Sequence, residues 1–450
     1  MSESKGDFSK GSILKTIIRL GLPITLAELV HVLYNIVDRI YIGNMPDTGT
    51  LALTGLGISF PLVTLIGAFA NLFSTGGATL TTIARGEGDI VKARSITNSA
   101  FTMILLTGAS LTVLLFAGAP VFLAWLGGDG TTLPFAVDYF RIYVLGTVPV
   151  LISLGMNPFI NAQGFAREGM ITVVLGAVMN IALDPLFIYT FGMGVSGAAL
   201  ATVISQTASA LWVLAFLRGG KPSVRLTGLE LNGEHIRGMV RLGMTGFTFK
   251  VTNSITQAIV NLTLRAWGGA LSTLYIGAVS LINSIREIIS LPAGGLTTAG
   301  QSVTSFNYGA GLKRRVSDSI GITLAESLLI NTVLWAVVMF RPRLMISMFT
   351  SDEALIGLTA HCARIYFGAF PFMALQTSGQ TTFVALNRSG YALFFSLLRK
   401  IVLVAPMTLL LPCLGLGADG VFWAEFWSQV IGATACFTTM YRVIWRKMKA

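Results

Sequence analysis

Four polar residues share the first apolar run of this chain: within 13–42 stand Glu28, His31, Asn35 and Asp38. At roughly 100° per residue they fall at about 0°, −60°, −20° and −80°, a stripe about 80° wide on one helix face. The run 170–191 carries Asn180 and Asp184 at i and i+4, again on one face. The run 194–217 carries Thr202, Ser205, Gln206 and Ser209 with helical spacing. Counting about 1.5 Å per residue from the outer ends of their runs, Asp38 lies ~8 Å deep, Asp184 and Tyr139 ~9 Å, and Thr202 ~12 Å. Two carboxyls, an amide, a phenol and a hydroxyl at one depth can share a proton or offer oxygen ligands to a hard cation. The competing reading is a hydrogen-bonded network that only fixes helix packing, for which paired buried carboxyls are a costly means.

The elements that must position these groups are membrane helices. Hydrophobic residues make up 53% of the 450 residues and charged ones 11%, too few charges to cover a soluble surface. Runs of spanning length fall at 13–42, 51–75, 95–117, 133–158, 170–191, 194–217, 238–264, 272–300, 316–340, 354–383, 391–411 and 417–444, which predicts an all-α integral membrane protein of twelve transmembrane helices. The first run is flanked by Lys15 and Arg19 and lacks a small-residue cleavage site, so it reads as a retained helix and not a signal peptide. A narrow polar stripe in such a helix faces a cavity or neighbouring helices, because an ionisable group against lipid is expensive.

With the N-terminus inside, twenty-one Lys and Arg, Lys5 among them, fall on inner segments and tails, against Arg265, Arg341 and Arg343 outside. Both termini are therefore expected to be cytoplasmic. The net charge of +11 is then a matter of topology and contact with membrane lipids, not a nucleic-acid surface. Cys362, Cys413 and Cys436 lack CxxC spacing and indicate neither disulfides nor a metal site.

The chain also repeats itself. Arg19-Leu20-Gly21 returns as Arg241-Leu242-Gly243, and Arg141-Ile142-Tyr143 with Pro149 returns as Arg364-Ile365-Tyr366 with Pro371. Gly192-x-Gly194-x-x-Gly197, Ala201 and Ser205-Gln206 return as Gly415-x-Gly417-x-x-Gly420, Ala424 and Ser428-Gln429. The offset is 222 at the first pair and 223 at the tripeptides of the other two. Six spans per copy leave the copies equally oriented, as two six-helix lobes about a pseudo-twofold axis. The division expected is 1–220 as an N-terminal lobe with the ion and substrate site, 221–237 as a cytoplasmic linker, and 238–450 as the C-terminal lobe.

The acids are not repeated. Asp38 counts forward to Val260 or Asn261, and Asp184 to Met407 beside Pro406, which places the chemistry in the first lobe. Glu28 counts to Lys250, so equivalent positions carry opposite charges and form a candidate cross-lobe pair. The alternatives for Lys250 are a bond within its own lobe, as to Glu425, or a wet cavity. His31 reads as a proton relay or as an ordinary hydrogen-bonding group. Arg286, Glu287 and Glu326 read as members of local ion pairs. Pro23, Pro61, Pro149, Pro292 and Pro371 are expected to kink their helices.

Tyr34-Asn35-Ile36-Val37-Asp38-Arg39 followed by Ile42-Gly43 resembles the first-helix motif of the MATE family, the multidrug and toxic compound extrusion transporters. Ala84-Arg85-Gly86-x-Gly88-Asp89 is similar to its loop 2–3 signature and Phe306-Asn307-Tyr308-Gly309-Ala310 to the matching loop 8–9 signature. Asn161-Ala162-Gln163-Gly164, Asn180-x-x-x-Asp184-Pro185 and Gly192-Met193-Gly194-Val195-x-Gly197-Ala198-Ala199 resemble the helix 4–6 region, and Arg399 fits as well. The resemblance covers nearly the whole chain. It implies a bacterial inner (plasma) membrane antiporter, most simply a monomer. Such an antiporter exports cationic and amphipathic small molecules by rocker-switch alternating access against Na+ or H+, with no other cofactor. Its ion site maps onto Asp38, Asn180, Asp184 and Thr202, a candidate Na+ site, with Tyr139, Glu28, His31, Asn35 and Gln206 around it. One departure stands out: some members carry essential acids on helices 7 and 10, where this chain has Lys250 and Gln257, then Gln376 and Gln380.

Other classes fit less well. Loop 2–3 lacks the basic motif of major-facilitator carriers, and a flippase-like exporter of a lipid-linked or amphipathic metabolite would usually have fourteen helices. An enzyme would need a nucleophile–base or metal constellation that three scattered His and three scattered Cys do not supply.

Overall fold

The computed structural model describes residues 6–46 and 48–449, so Lys5, counted above among the inner charges, lies outside it. Among the described residues every regular element is helical. They separate into two compact units, Met1–Asp7 with Leu26–Gly243 and Phe8–Thr25 with Met244–Ala450. The units divide inside two helices, whereas the sequence places the division at 221–237.

The first unit contains α1 (Ile13–Gly43) from Leu26 onward, α2 (Gly49–Gly86), α3 (Ile90–Trp125), α4 (Leu133–Leu145), α5 (Thr147–Ala162), α6 (Ala166–Pro185) and α7 (Gly194–Arg218), and ends within α8 (Gly233–Trp267). Its interior is built where α2 packs on α3 and α5, and where α7 packs on α4, α5 and α6. The second unit takes Phe8–Thr25 and the rest of α8, then α9 (Ser272–Gly309), α10 (Lys313–Phe340), α11 (Pro342–Ile346), α12 (Glu353–Phe367), α13 (Met373–Ala385), α14 (Ser389–Leu397), α15 (Ala405–Leu411), α16 (Asp419–Met440) and α17 (Arg446–Lys449). There α9 packs on α10, α12 and α13, and α16 on α12, α13 and α15.

Grouped across short breaks, these helices make the twelve passes expected of the fold. Eight, or nine if the bent α4–α5 pair counts as one, are long and apolar enough to cross a bilayer. The outward faces are apolar, with Val113, Leu114, Leu329 and Phe340 all more than half exposed, as lipid-facing surfaces require. Several helices outrun their apolar stretch: α2 continues to Gly86, well past 75, through Thr79, Thr81 and Thr82. The hydroxyls of Thr79 and Thr82 bond carbonyls four residues back, so the helix extends without an apolar face.

Two of the five prolines break their pass. The chain bends by 59° between α4 and α5, just ahead of Pro149. A tight turn, Phe370–Phe372, containing Pro371 separates α12 from α13. Helices α1, α2 and α9 run through Pro23, Pro61 and Pro292.

The repeated glycine motif folds the same way in both units. Gly192 and Gly194 hold φ of +65° and +56°, and Gly415 and Gly417 hold +91° and +54°. These left-handed conformations favour glycine. They turn the chain so that α7 and α16 start against the end of the preceding helix. A Cβ on Gly197 would stand 2.7 Å from the Phe187 carbonyl carbon, and one on Gly420 the same distance from the Pro412 nitrogen.

At the start of the second unit, Asn307 Nδ2 donates to the Phe8 carbonyl at 3.1 Å, and Arg315 donates to the carbonyls of Phe8, Lys10 and Gly11. In the first, Arg85 donates to the carbonyls of Ala162 and Gly6. Both loop signatures thus fasten backbone.

Candidate functional site

In the first unit α1, α4, α6 and α7 converge on two buried carboxyls, Asp38 and Asp184. The two carboxyls lie beside each other, close enough for each to act electrostatically on the other. Asn180, one turn before Asp184 on α6, donates through Nδ2 to Asp184 Oδ1 at 3.1 Å and to Thr202 Oγ1 at 3.4 Å. Thr202 in turn donates to the Ala198 carbonyl at 3.0 Å. Directly after Asp184, Pro185 ends α6 and the chain widens into a π turn, Leu186–Thr190. Such a turn is a frequent accompaniment of functional sites.

Three oxygens of this cluster are buried and meet no hydrogen-bond donor: Asp38 Oδ1, Asp184 Oδ2 and Asn180 Oδ1. Orphan buried oxygens are costly unless something supplies positive charge or a proton. The donor set is oxygen only, which suits a proton or a hard cation and not a soft metal. Among the described residues no group of three or more His, Cys, Asp or Glu could hold a metal.

Phenols and an amide enclose the pair. Tyr139 is buried and stacks on Tyr143 with ring centroids 6.0 Å apart. Tyr34 lies close to Gln206, whose Oε1 accepts from the Ser153 hydroxyl at 2.6 Å. Sequence reasoning missed Tyr34 and Tyr143 as site residues, although Tyr34 stands four positions before Asp38 and shares its face.

In the rest of the α1 stripe, Asn35 and His31 bond within their own helix or touch Tyr34. Asn35 donates to the His31 carbonyl of its own helix at 2.7 Å, and the His31 ring packs edge-on against Tyr34 at 5.1 Å. Glu28 is exposed. It lies in the first unit and Lys250, half-buried on α8, in the second.

The second unit holds a charged cluster that sequence reasoning did not assemble. Arg399 and Lys400 lie on a π turn, Leu398–Val404, and both donate to the buried carboxylate of Glu425 on α16. Arg286 on α9 lies near Tyr366 and Glu425, and the expected local ion pair with Glu287 does not form among the described residues. Glu326 forms no ion pair among the described residues: both carboxyl oxygens are buried without a partner. The signal available was two adjacent bases in one apolar run and an acid in the next.

The family model MatE matches residues 23–186 and again 251–410, the same description laid twice along the chain. A multidrug export protein MepA from Staphylococcus haemolyticus is 24% identical, over 97% of this chain and 94% of its own length. The MepA of Staphylococcus aureus strain NCTC 8325 is 22% identical, over 96% and 95%. Among solved structures, an outward-facing multidrug resistance MATE family transporter of the MOP superfamily superposes with a TM-score of 0.92 at 21% identity, covering 100% of this chain and 99% of that one.

Proposed function

Because the chain belongs to the MatE family, whose members are membrane transporters and not enzymes, we propose that it exports cationic and amphipathic small molecules in exchange for Na+ or H+ taken up at Asp38 and Asp184. The observation that carries this reading is the pair of adjacent buried carboxyls, each with one orphan oxygen, beside the orphan oxygen of Asn180. Two adjacent carboxylates cannot both stay ionised in a low-dielectric interior without a positive partner. A proton would sit between Asp38 and Asp184. A sodium ion would take oxygens from Asp38, Asp184, Asn180 and Thr202.

Export then follows from competition. An ion arriving at the pair removes the negative charge that holds a cationic compound, and its departure restores that charge on the other side of the membrane. Rocker-switch alternation of access supplies the sidedness. The membrane is the bacterial plasma membrane, the chain acts as a monomer among lipids, and the excess of basic residues on inner segments supports cytoplasmic termini. The MepA relatives, named as multidrug export proteins, support the substrate class.

The test is efflux of a fluorescent cationic dye from proteoliposomes with a sodium or a proton gradient imposed alone. One gradient should drive efflux, and the Asp38→Asn, Asp184→Asn double variant should reconstitute at wild-type yield and export nothing. Full export by that variant would sink the proposal.

A further inference from the structure

Counting on by the repeat offset, 223 for the later helices and 222 for the first, carries Thr202 to Glu425, Tyr143 to Tyr366 and Tyr34 to Thr256. All three counterparts line one cavity of about 60 Å³ inside the second unit. That volume is room for roughly four waters, or for one small charged head group. The cavity thus stands at the point of the second unit that corresponds to the acidic cluster of the first, and the charges at that point differ in sign.

The first unit presents two carboxyls at this point. The second presents Arg286 and Lys400 in the cavity wall and Arg399 directly behind, against the single carboxylate of Glu425. Arg399 and Lys400 are buried, and Arg399 Nε meets no acceptor. Glu287, next to Arg286 in the chain, is exposed. Apolar side chains, Val279, Ile282 and Phe422, close part of the wall and keep the local dielectric low, which strengthens any charge held there. Amides complete the lining: Asn283 Nδ2 donates to Gln257 Oε1 at 2.8 Å, and Gln257 Nε2 to Asn261 Oδ1 at 3.0 Å. Two buried cations and the half-buried Arg286 against one carboxylate are short of negative charge, and a low-dielectric cavity beside them is where an anion would compensate.

We infer that this cavity of the second unit binds the carboxylate of an amphipathic substrate, so that the protein accepts zwitterionic or acidic compounds as well as purely cationic ones. A carboxylate matches the cavity in size and matches the guanidinium of Arg286 in geometry. The inference does not depend on ion coupling at Asp38 and Asp184, because it is read by binding and not by transport.

The test uses two dyes with one ring system: rhodamine 110, which has a free carboxyl, and rhodamine 123, its methyl ester. Binding of each to the purified full-length protein in detergent is followed by fluorescence anisotropy. The wild type should bind the acid, and both Lys400→Met and Arg286→Gln should weaken it at least tenfold while changing ester binding less than twofold. Lys400→Arg should keep most of the affinity for the acid, and unchanged ester binding certifies the fold of each variant. Equal losses for acid and ester in these variants, or no loss for the acid, would overturn the inference. Acetate or phosphate competing with rhodamine 110 only at hundreds of millimolar supports a substrate carboxylate. Competition in the micromolar range would assign the cavity to a free inorganic or small organic anion instead.

Discussion

The same fold position in the two units holds opposite chemistry. In the first, Asp38 and Asp184 press two acids together with orphan oxygens beside them. In the second, Glu425 is surrounded by bases and its hydrogen bonds are filled. Duplication conserved what shapes the chain, the glycine turns and the proline breaks, and left the groups at the pocket free to change sign. Two acids without a positive partner suit an ion that comes and goes, whereas a carboxylate held by two bases ties its helices together.

That contrast can be broken most forcefully at Glu425. Glu425→Ala leaves Arg399 and Lys400 buried without their shared acid, and should cost about 3–5 kcal/mol. The measurement is thermal unfolding of the purified protein in detergent, and an unchanged Tm would mean the pair is not structural. Gly197→Ala and Gly420→Ala should each cost about 1–3 kcal/mol, since the new Cβ meets backbone that must shift. Because the scaffold is shared, the two should lower Tm by similar amounts. A large asymmetry would deny that the motif does the same work in both units.

Asp184→Asn should separate function from stability. It removes an uncompensated buried acid, so Tm should hold or rise, while gradient-driven efflux falls at least tenfold, within the usual range of coupling free energies. A drop in Tm comparable to that of Glu425→Ala would make the acidic pair a packing device. The smallest effect is expected for Thr202→Val, which deletes the acceptor for Asn180 and should cost about 0.5–1.5 kcal/mol. It should raise the ion concentration for half-maximal efflux severalfold and leave the maximal rate intact.

Much of this was legible in the residues. Helical spacing and equal depth point to Asp38, Asn180, Asp184 and Thr202, because a charge in an apolar run is conspicuous and its face follows from periodicity. The glycine motif announced its own duplication. What stayed hidden depended on tertiary structure. Hydropathy could not show that α2 runs on past residue 75, since threonines there satisfy themselves on their own helix. Nor could it show which prolines break a pass. Arg399, Lys400 and Glu425 were visible as charges, but Arg286 reached them only by the packing of α9 against its neighbours. Of the α1 stripe, Asp38 supplies the carboxyl of the pair, while Asn35 bonds the His31 carbonyl and the His31 ring packs on Tyr34.

The fastening of the second unit's first segment has a consequence for how the protein is made. The Phe8 carbonyl waits for Asn307, 299 residues later in the chain. At about 5–20 residues per second, the ribosome needs roughly 15–60 s to supply that partner. Through that interval the opening stretch of α1 is in the membrane while the helices it will pack with do not yet exist. Meanwhile the first unit, from Leu26 to Gly243, can close on itself. Assembly is therefore sequential, and a nascent chain arrested shortly before Asn307 should expose its N-terminal segment to protease and lose that exposure within one helix of further growth.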